Sequence, residues 1–512
     1  MSNDSRGERR NDAGRQRNRG GSGQRNFSAS APSQRRRIAD PARLVAYEVL
    51  RAVAEQDAYA NLVLPGRLRE HGLSGRDAGF ATELAYGALR GRGFYDAVLS
   101  RCVDRPLGKL DPAILDALRL GAHQLLAMRV PHHAALDETV GLARAVIGAG
   151  PSGLVNAVLR KVSRNDAEAW TALVLDGVEN EVSRLGLEYS HPEWVVRALR
   201  QGLVAHGRDA AEITELLAAD NLAPVVNLVA LPGIGSLDEA LEHGATPGEL
   251  SPDSAYYSGG DLSKLSSIHK GTTRVQDAGS QLLARALATV EIEGRDTDWL
   301  DLCAGPGGKA ALLASLAAQR GAELTANEPA EHRAELVRKA LRPVDRDAWN
   351  VVVGDGRRYL GIPADQRFDR IIVDAPCSGL GALRRRPEAR WRKTPADVAE
   401  LTTLQDELID AALKALRPGG VLAYATCSPH PAESLAVLDD ALRRTPHARL
   451  LDTAAAVNTV SLEGGIEGTD HASGGNTVQL WPHLHSTDAM FLALITLDAD
   501  AEQAEPIEQT KG

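Results

Sequence analysis

From residue 298 onward the chain alternates short apolar runs with longer stretches of helical periodicity, and this alternation leaves few folds open. Runs at 298–303, 322–327, 349–353, 369–374, 420–426 and 490–496 read as strands; 309–320, 330–341, 397–417 and 434–444 read as helices, and Gln276-Asp-Ala-Gly leads into another. Strands that alternate with helices predict a mainly parallel sheet covered on both faces, joined by right-handed crossovers. Ligands of such a sheet sit at the carboxyl ends of its strands. Residues 276–500 are therefore expected to form one α/β, Rossmann-like domain.

The upstream half is patterned differently, and 512 residues leave room for two to four domains. Residues 38–165 read as all helix. Asp40-Pro41 is a cap followed by a first-turn proline, and Leu44, Val45, Val49, Leu50 and Val53 then recur at helical spacing. Further helices are expected at 57–70, 75–91, 94–104, 111–128, 135–148 and 152–163, with Asp111-Pro112 and Ser152 as start signals. Residues 166–275 read as a small α+β connecting module: a helix entered through Ser190-His-Pro-Glu-Trp194, a second at 209–219, a strand at 225–230 and a short helix at 237–242. His191 there suits capping or packing.

The ends differ again. Residues 1–37 hold ten arginines against Asp4, Glu8 and Asp12 and almost no large apolar side chains, so a disordered basic tail is expected. That tail carries +7 on a chain whose total is −10, which leaves −17 on the rest. A basic arm on an acidic body points to a polyanionic partner. Residues 501–512 read as an acidic tail. No apolar run reaches the roughly 18 residues needed to span a bilayer, and the arginine-rich start has no apolar signal core. A cytoplasmic monomer that does not enter membranes is expected.

Two strand ends carry cysteine: Asp374-Ala-Pro-Cys377-Ser-Gly and Thr426-Cys427-Ser. With Cys102 and Cys303 they are the only four, and none forms a Cys-x-x-Cys pair. Cysteines used this sparingly, in strand-end motifs, suit chemistry more than structure. Asp301-Leu-Cys-Ala-Gly-Pro-Gly-Gly-Lys309 lies between a strand and a helix, where its glycines permit a tight turn and close approach of a ligand. Glu328 follows the next strand, placed to accept from ribose hydroxyls. Asp355, between Gly354 and Gly356, follows the third and can meet an adenine amino group. The histidine pairs His132/His133 and His483/His485 lack a third ligand at useful spacing, so no metal is expected.

These motifs together resemble the RsmB/Sun family of S-adenosylmethionine-dependent methyltransferases, which make 5-methylcytosine in RNA. Residues 301–309, 374–379 and 426–428 carry the likeness. Arg43 to Leu50, Asp77 to Gly87 and Gly153 to Lys161 resemble the NusB-type RNA-binding bundle that precedes the enzyme in bacterial 16S ribosomal RNA methyltransferases of this family. The resemblance implies a class I methyltransferase domain, S-adenosyl-L-methionine as cofactor and RNA, 16S ribosomal RNA above all, as partner. It implies cofactor contacts from Cys303, Ala304, Gly305, Pro306, Gly307, Gly308, Lys309, Glu328, Asp355 and Asp374. Gly305 stands where the family commonly has alanine, an exchange expected to be harmless. Ala432 and Ser434 depart from its usual Glu and Asn, and Asp488-Ala489 from its Asp-Gly.

Carbon 5 of cytosine is a poor nucleophile until a thiolate adds to carbon 6, so covalent catalysis by cysteine is expected. Family analogy assigns attack to Cys427 and product release to Cys377, with Asp374 holding the ring. The Pro-Cys motif of DNA cytosine methyltransferases would instead select Cys377, and residue chemistry by itself does not choose. Arg384, Arg385, Arg386, Arg392 and Lys393 follow the Pro-Cys motif, with Trp391 among them, and read as phosphate and base contacts to an unpaired target nucleotide. Two alternatives stay open: the same reaction on transfer RNA, or an RNA-binding scaffold whose methyltransferase fold is vestigial.

Overall fold

The computed structural model describes residues 39–498 apart from 259, 463–464 and 470–474. The tails expected at 1–37 and 501–512 lie outside the described residues. The first seven α-helices, Pro41–Glu55 through Ala149–Val162, pack around one apolar core that includes Val45, Leu84, Leu99, Leu118 and Leu159. Asp40 accepts from the Arg43 backbone N–H and Asp111 from that of Ala113, each ahead of a first-turn proline. Ser152 is not a cap: it lies inside the Ala149–Val162 helix and donates to the Ala149 carbonyl at 2.7 Å. Gly148 opens that helix at φ +133°, a backbone conformation that glycine supplies without strain.

The stretch expected as one connecting module falls into three pieces. The helix Ala167–Leu175 joins the bundle, where Trp170 and Val174 are buried and the Trp170 indole N–H donates to the Val162 carbonyl at 2.8 Å. Helices Glu181–Glu188, Glu193–Ala205 and Ile213–Ala219 bury Leu199, Leu203 and Leu217 against Leu380, Leu383 and Trp481 of the α/β domain. A four-stranded antiparallel sheet follows, from β1 (Val226–Ala230), β2 (Ala245–Pro247), β3 (Ser254–Tyr257) and β4 (Thr273–Val275), in the order β2-β3-β1-β4. Short amphipathic helices have too little surface for a core of their own, so their apolar faces close on whichever neighbour is available.

The α/β domain contains β5 (Asp298–Asp301), β6 (Glu323–Glu328), β7 (Trp349–Val353), β8 (Phe368–Asp374), β9 (Leu416–Thr426), β10 (Ala448–Leu450), β11 (Thr477–Gln479) and β12 (Phe491–Leu497). Their order is β10-β12-β9-β8-β5-β6-β7, with β11 paired to β12. Strands β5 to β9 run parallel to one another, and β12 runs antiparallel to β9. One face is covered by helices that include Ala278–Thr289, Gly308–Gln319 and Glu331–Leu341, the other by Pro395–Ala415 and Leu435–Arg444. The chain leaves β5 for β6 and β7, then returns to place β8 on the other side of β5. That reversal opens a crevice at the carboxyl ends, where Asp301, Glu328, Asp374 and Thr426 all terminate their strands.

Candidate active site

The 303–309 turn bridges β5 and the Gly308–Gln319 helix. Gly307 sits at φ +106°, and a Cβ there would come within 2.5 Å of the Ala340 Cβ, so only glycine fits. Ala304 donates its backbone N–H to the Asn327 carbonyl at 2.9 Å, which stitches the turn to β6. A Cβ on Gly305 would lie 2.1 Å from a Glu328 carboxylate oxygen. An alanine introduced at this position would require a shift of the carboxylate expected to meet the ribose. Glu328 is buried, accepts from the Ala330 N–H at 3.1 Å and lies 3.5 Å from the Arg333 guanidinium. Arg333 also donates to the Gly305 carbonyl at 2.8 Å, an engagement that no sequence motif signalled. Asp355 is exposed and gripped by Arg357, whose hydrogen bonds hold its carboxyl down to about 2.

Four carboxylates, Asp301, Glu328, Asp355 and Asp374, thus surround a glycine turn at the positive end of a helix. Burial and the Asp374 charge push the Asp301 carboxyl up to about 7. Burial alone would lower the Lys309 ammonium, but Asp374, 2.8 Å away, outweighs it and raises the pKa. An acid-rich crevice beside a helix N-terminus fits S-adenosylmethionine: carboxylates for its sulfonium and ammonium charges and its ribose, backbone N–H groups for its carboxylate. Among the described residues no cluster could hold a metal ion. His483 pairs with Glu212 at 3.0 Å, and His485 accepts from the Trp481 N–H at 2.8 Å.

The two strand-end cysteines converge. Their sulfurs lie 3.3 Å apart although 50 residues separate them. The hydrogen bond between the two sulfurs lowers the Cys427 thiol against its burial, and the nearby cations Arg386 and Lys309 act in the same direction. Cys377 is pushed well above the ordinary thiol range, first by that bond to Cys427 and then by burial. Of the two sulfurs, Cys427 is therefore the one whose thiolate form its surroundings favour. Cys303 is raised by burial and by Asp301, and Cys102 is packed in the helical bundle.

The basic loop after Cys377 is not a free cationic surface. Arg384 is buried, and Arg385 pairs with Asp488 and lies 3.5 Å from Asp277. Arg392 bonds the Val53 carbonyl at 3.0 Å and the Ala58 carbonyl, and pairs with Asp57 at 3.0 Å, all in the helical bundle. Trp391 packs against Gly93 of that bundle, close enough that a Cβ there would lie 2.6 Å from its ring. The expectation of five phosphate-facing cations is thus reduced to the exposed Arg386 and the half-buried Lys393. A guanidinium taken out of water needs a partner, and these carboxylates and carbonyls provide it. Arg386 and Arg392 lie over the ring of Tyr59, at 5.3 and 5.0 Å, so the bundle contributes an aromatic side chain beside this loop that sequence reading missed.

Comparison with known proteins agrees with this architecture. The 16S rRNA methyltransferase RsmB/F family matches residues 287–496, and the NusB family matches residues 40–164. A Mycobacterium tuberculosis protein named as a methyltransferase is 47% identical over 466 residues, spanning 90% of this chain and 97% of its own. Ribosomal RNA small subunit methyltransferase B of Erwinia tasmaniensis is 32% identical over 443 residues, spanning 85% and 96%. The crystal structure of PH0851 superposes with a TM-score of 0.74 over 90% of this chain and 99% of that one, at 20% identity, a likeness of fold. With its glycine turn, carboxylate crevice and paired thiols behind a NusB-family bundle, the chain belongs to the RsmB/F family of 16S rRNA methyltransferases, and its methyl donor is S-adenosylmethionine.

Proposed function

We propose that the protein methylates carbon 5 of a cytosine in 16S ribosomal RNA, with Cys427 as nucleophile and Cys377 as the group that completes release. The observation that carries this reading is the thiol pair itself, 3.3 Å apart, with the cations Lys309 and Arg386 favouring the anion at Cys427. The cofactor, when bound, supplies an electrophilic methyl group. The chain's residues do the rest. The Cys427 sulfur bonds to carbon 6 of a flipped cytosine and the ring's π electrons move toward carbon 5, which takes the methyl group. Asp374, with Lys309 bonded to it, faces the same crevice and is placed to hold the ring.

Adduct formation turns the Cys427 thiolate into a neutral thioether. That removes the largest influence holding the Cys377 thiol high, so Cys377 can then release its proton to solvent and, as thiolate, accept the one on carbon 5. The electrons of that C–H bond restore the ring double bond, the sulfur–carbon 6 bond breaks, and Cys427 leaves as thiolate. Arg386 and Lys393, together with Tyr59, are the RNA contacts assigned to this loop.

The test is a trapping assay with RNA carrying labelled cytosine. Cys427→Ala is expected to form no covalent complex and no methylated product. Cys377→Ala is expected to accumulate the complex, because release is impaired. Exchange of the two behaviours would reverse the thiol assignment, and absence of product from the wild type on every ribosomal RNA substrate would sink the proposal.

A further inference from the structure

Each active-site cysteine is followed by a serine, and both serines bind one carboxylate. Glu433 is completely buried. It accepts from the Ser378 backbone N–H at 2.7 Å, from the Ser378 hydroxyl, from the Ser428 hydroxyl at 2.7 Å and from the Gln405 amide at 3.3 Å. The two hydroxyl oxygens are themselves 3.1 Å apart. Gln405 also donates to the Pro376 carbonyl at 2.8 Å, and the Tyr424 hydroxyl donates to the Glu433 carbonyl at 2.8 Å. Four donors converge on two oxygens, the arrangement of an ionised carboxylate. Yet no ion pair among the described residues includes it. Burying a charge with no counter-ion is costly, and a glutamine would fill the same space. The charge therefore has a use.

We infer that Glu433 is a positioning residue of the two-thiol centre, tying the Cys377 and Cys427 loops into one unit and thereby selecting which sulfur attacks. The role rests on the cysteine chemistry proposed above. Position follows from the bonds: with Ser378 and Ser428 on one carboxylate, neither cysteine can shift without the other. Selection follows from charge. Glu433 opposes ionisation of Cys377, and Tyr424 lies beside it. Lys309, Arg385 and Arg386 favour an anion at Cys427, while Asp374 opposes an anion at both sulfurs. The anion of Glu433 and the cations thus push one proton in a single direction, onto Cys377.

Glu433→Gln separates the two contributions. Its oxygen can still accept from the Ser378 N–H and from Gln405, and its NH₂ can donate to the serine hydroxyls, which accept as readily as they donate. The clamp persists and the charge is gone. Limited iodoacetamide alkylation of the full-length protein, read by peptide mass across pH, reports each sulfur without RNA. The wild type is expected to label Cys427 over Cys377 by roughly tenfold, because the thiolate is the form that is alkylated. In Glu433→Gln that preference should shrink several-fold, and Cys377 labelling should begin at lower pH. An unchanged partition and pH profile in Glu433→Gln would overturn the selecting role. Wild-type methyl transfer by Glu433→Ala would overturn the clamp, and loss of it beside an intact melting transition supports the clamp. If the wild type makes no adduct with RNA while the alkylation partition still shifts, the cytosine reaction fails and the positioning role of Glu433 toward the thiols stands.

Discussion

Asp301 shows how one position sets a condition on the whole protein. It ends β5, is 1% exposed, and has Asp374 and Glu328 as neighbouring charges. Its carboxyl is raised from 3.8 to about 7, so the folded chain holds a proton that the unfolded chain has already lost. The stability it contributes is complete below pH 3.8 and is lost as pH rises through about 7. Asp301→Asn keeps an acceptor for the Cys303 N–H, 3.3 Å away, and removes the titration. The variant's melting temperature is expected to fall less between pH 4 and 8 than the wild type's, corresponding to a difference in unfolding free energy of at most about 4 kcal/mol. Parallel pH profiles for the two proteins would show that Asp301 does not titrate in this range. The carboxylate itself was legible in the motif; its protonation was not, because burial and the Asp374 charge exist only in the folded chain.

The decisive element is the loop between β8 and the Pro395–Ala415 helix. In sequence it reads as a basic patch, since three arginines run from 384 to 386 and two more cations stand at 392 and 393. In the fold it is a clasp. Arg390 is fully buried and donates to the Ser190 carbonyl at 3.1 Å and to Asn221 at 2.8 Å, while Glu388 accepts the Ala60 N–H at 3.1 Å. The loop that bears Cys377 thus also holds the helical bundle. Arg392→Ala leaves the Val53 and Ala58 carbonyls without their donor and is expected to lower stability by about 1–3 kcal/mol. It should also raise KM for RNA more than it lowers kcat, because Tyr59 loses one of the two guanidiniums that fix it. Calorimetry and steady-state methylation assays check both, and an unaltered KM would show that Tyr59 is not a substrate contact. Charge patterning could not distinguish clasp from patch, since Arg392 and Val53 are 339 residues apart.

For the molecule as a whole, charge is distributed against its overall sign. The chain carries −10 in total, yet ten arginines lie in its first 37 residues. RNA affinity should therefore be steeply salt-dependent. Removal of residues 1–37 should flatten the dependence of log K on log salt by up to about 7, at roughly 0.7 for each single-strand phosphate that an arginine neutralises. A slope unchanged by the deletion would mean that the tail neutralises no phosphates. No helix among the described residues is long and apolar enough to cross a membrane.

What the amino-acid order determined unaided is what short-range physics controls. Period-two and period-3.6 apolar patterns place strands and helices, caps such as Asp40 and Asp111 start them, and parallel pairing gathers the strand ends on one edge. The glycine turn, its flanking carboxylates and the presence of two cysteines there follow from that. Boundaries at 166–275 did not, because the Ala167–Leu175 helix and its neighbours have no core until they meet larger partners. Nor did the inward-facing arginines, the 3.3 Å between the sulfurs or the carboxylate that ties their loops. Each depends on groups distant in sequence and on the removal of water between them, and only tertiary packing brings about either.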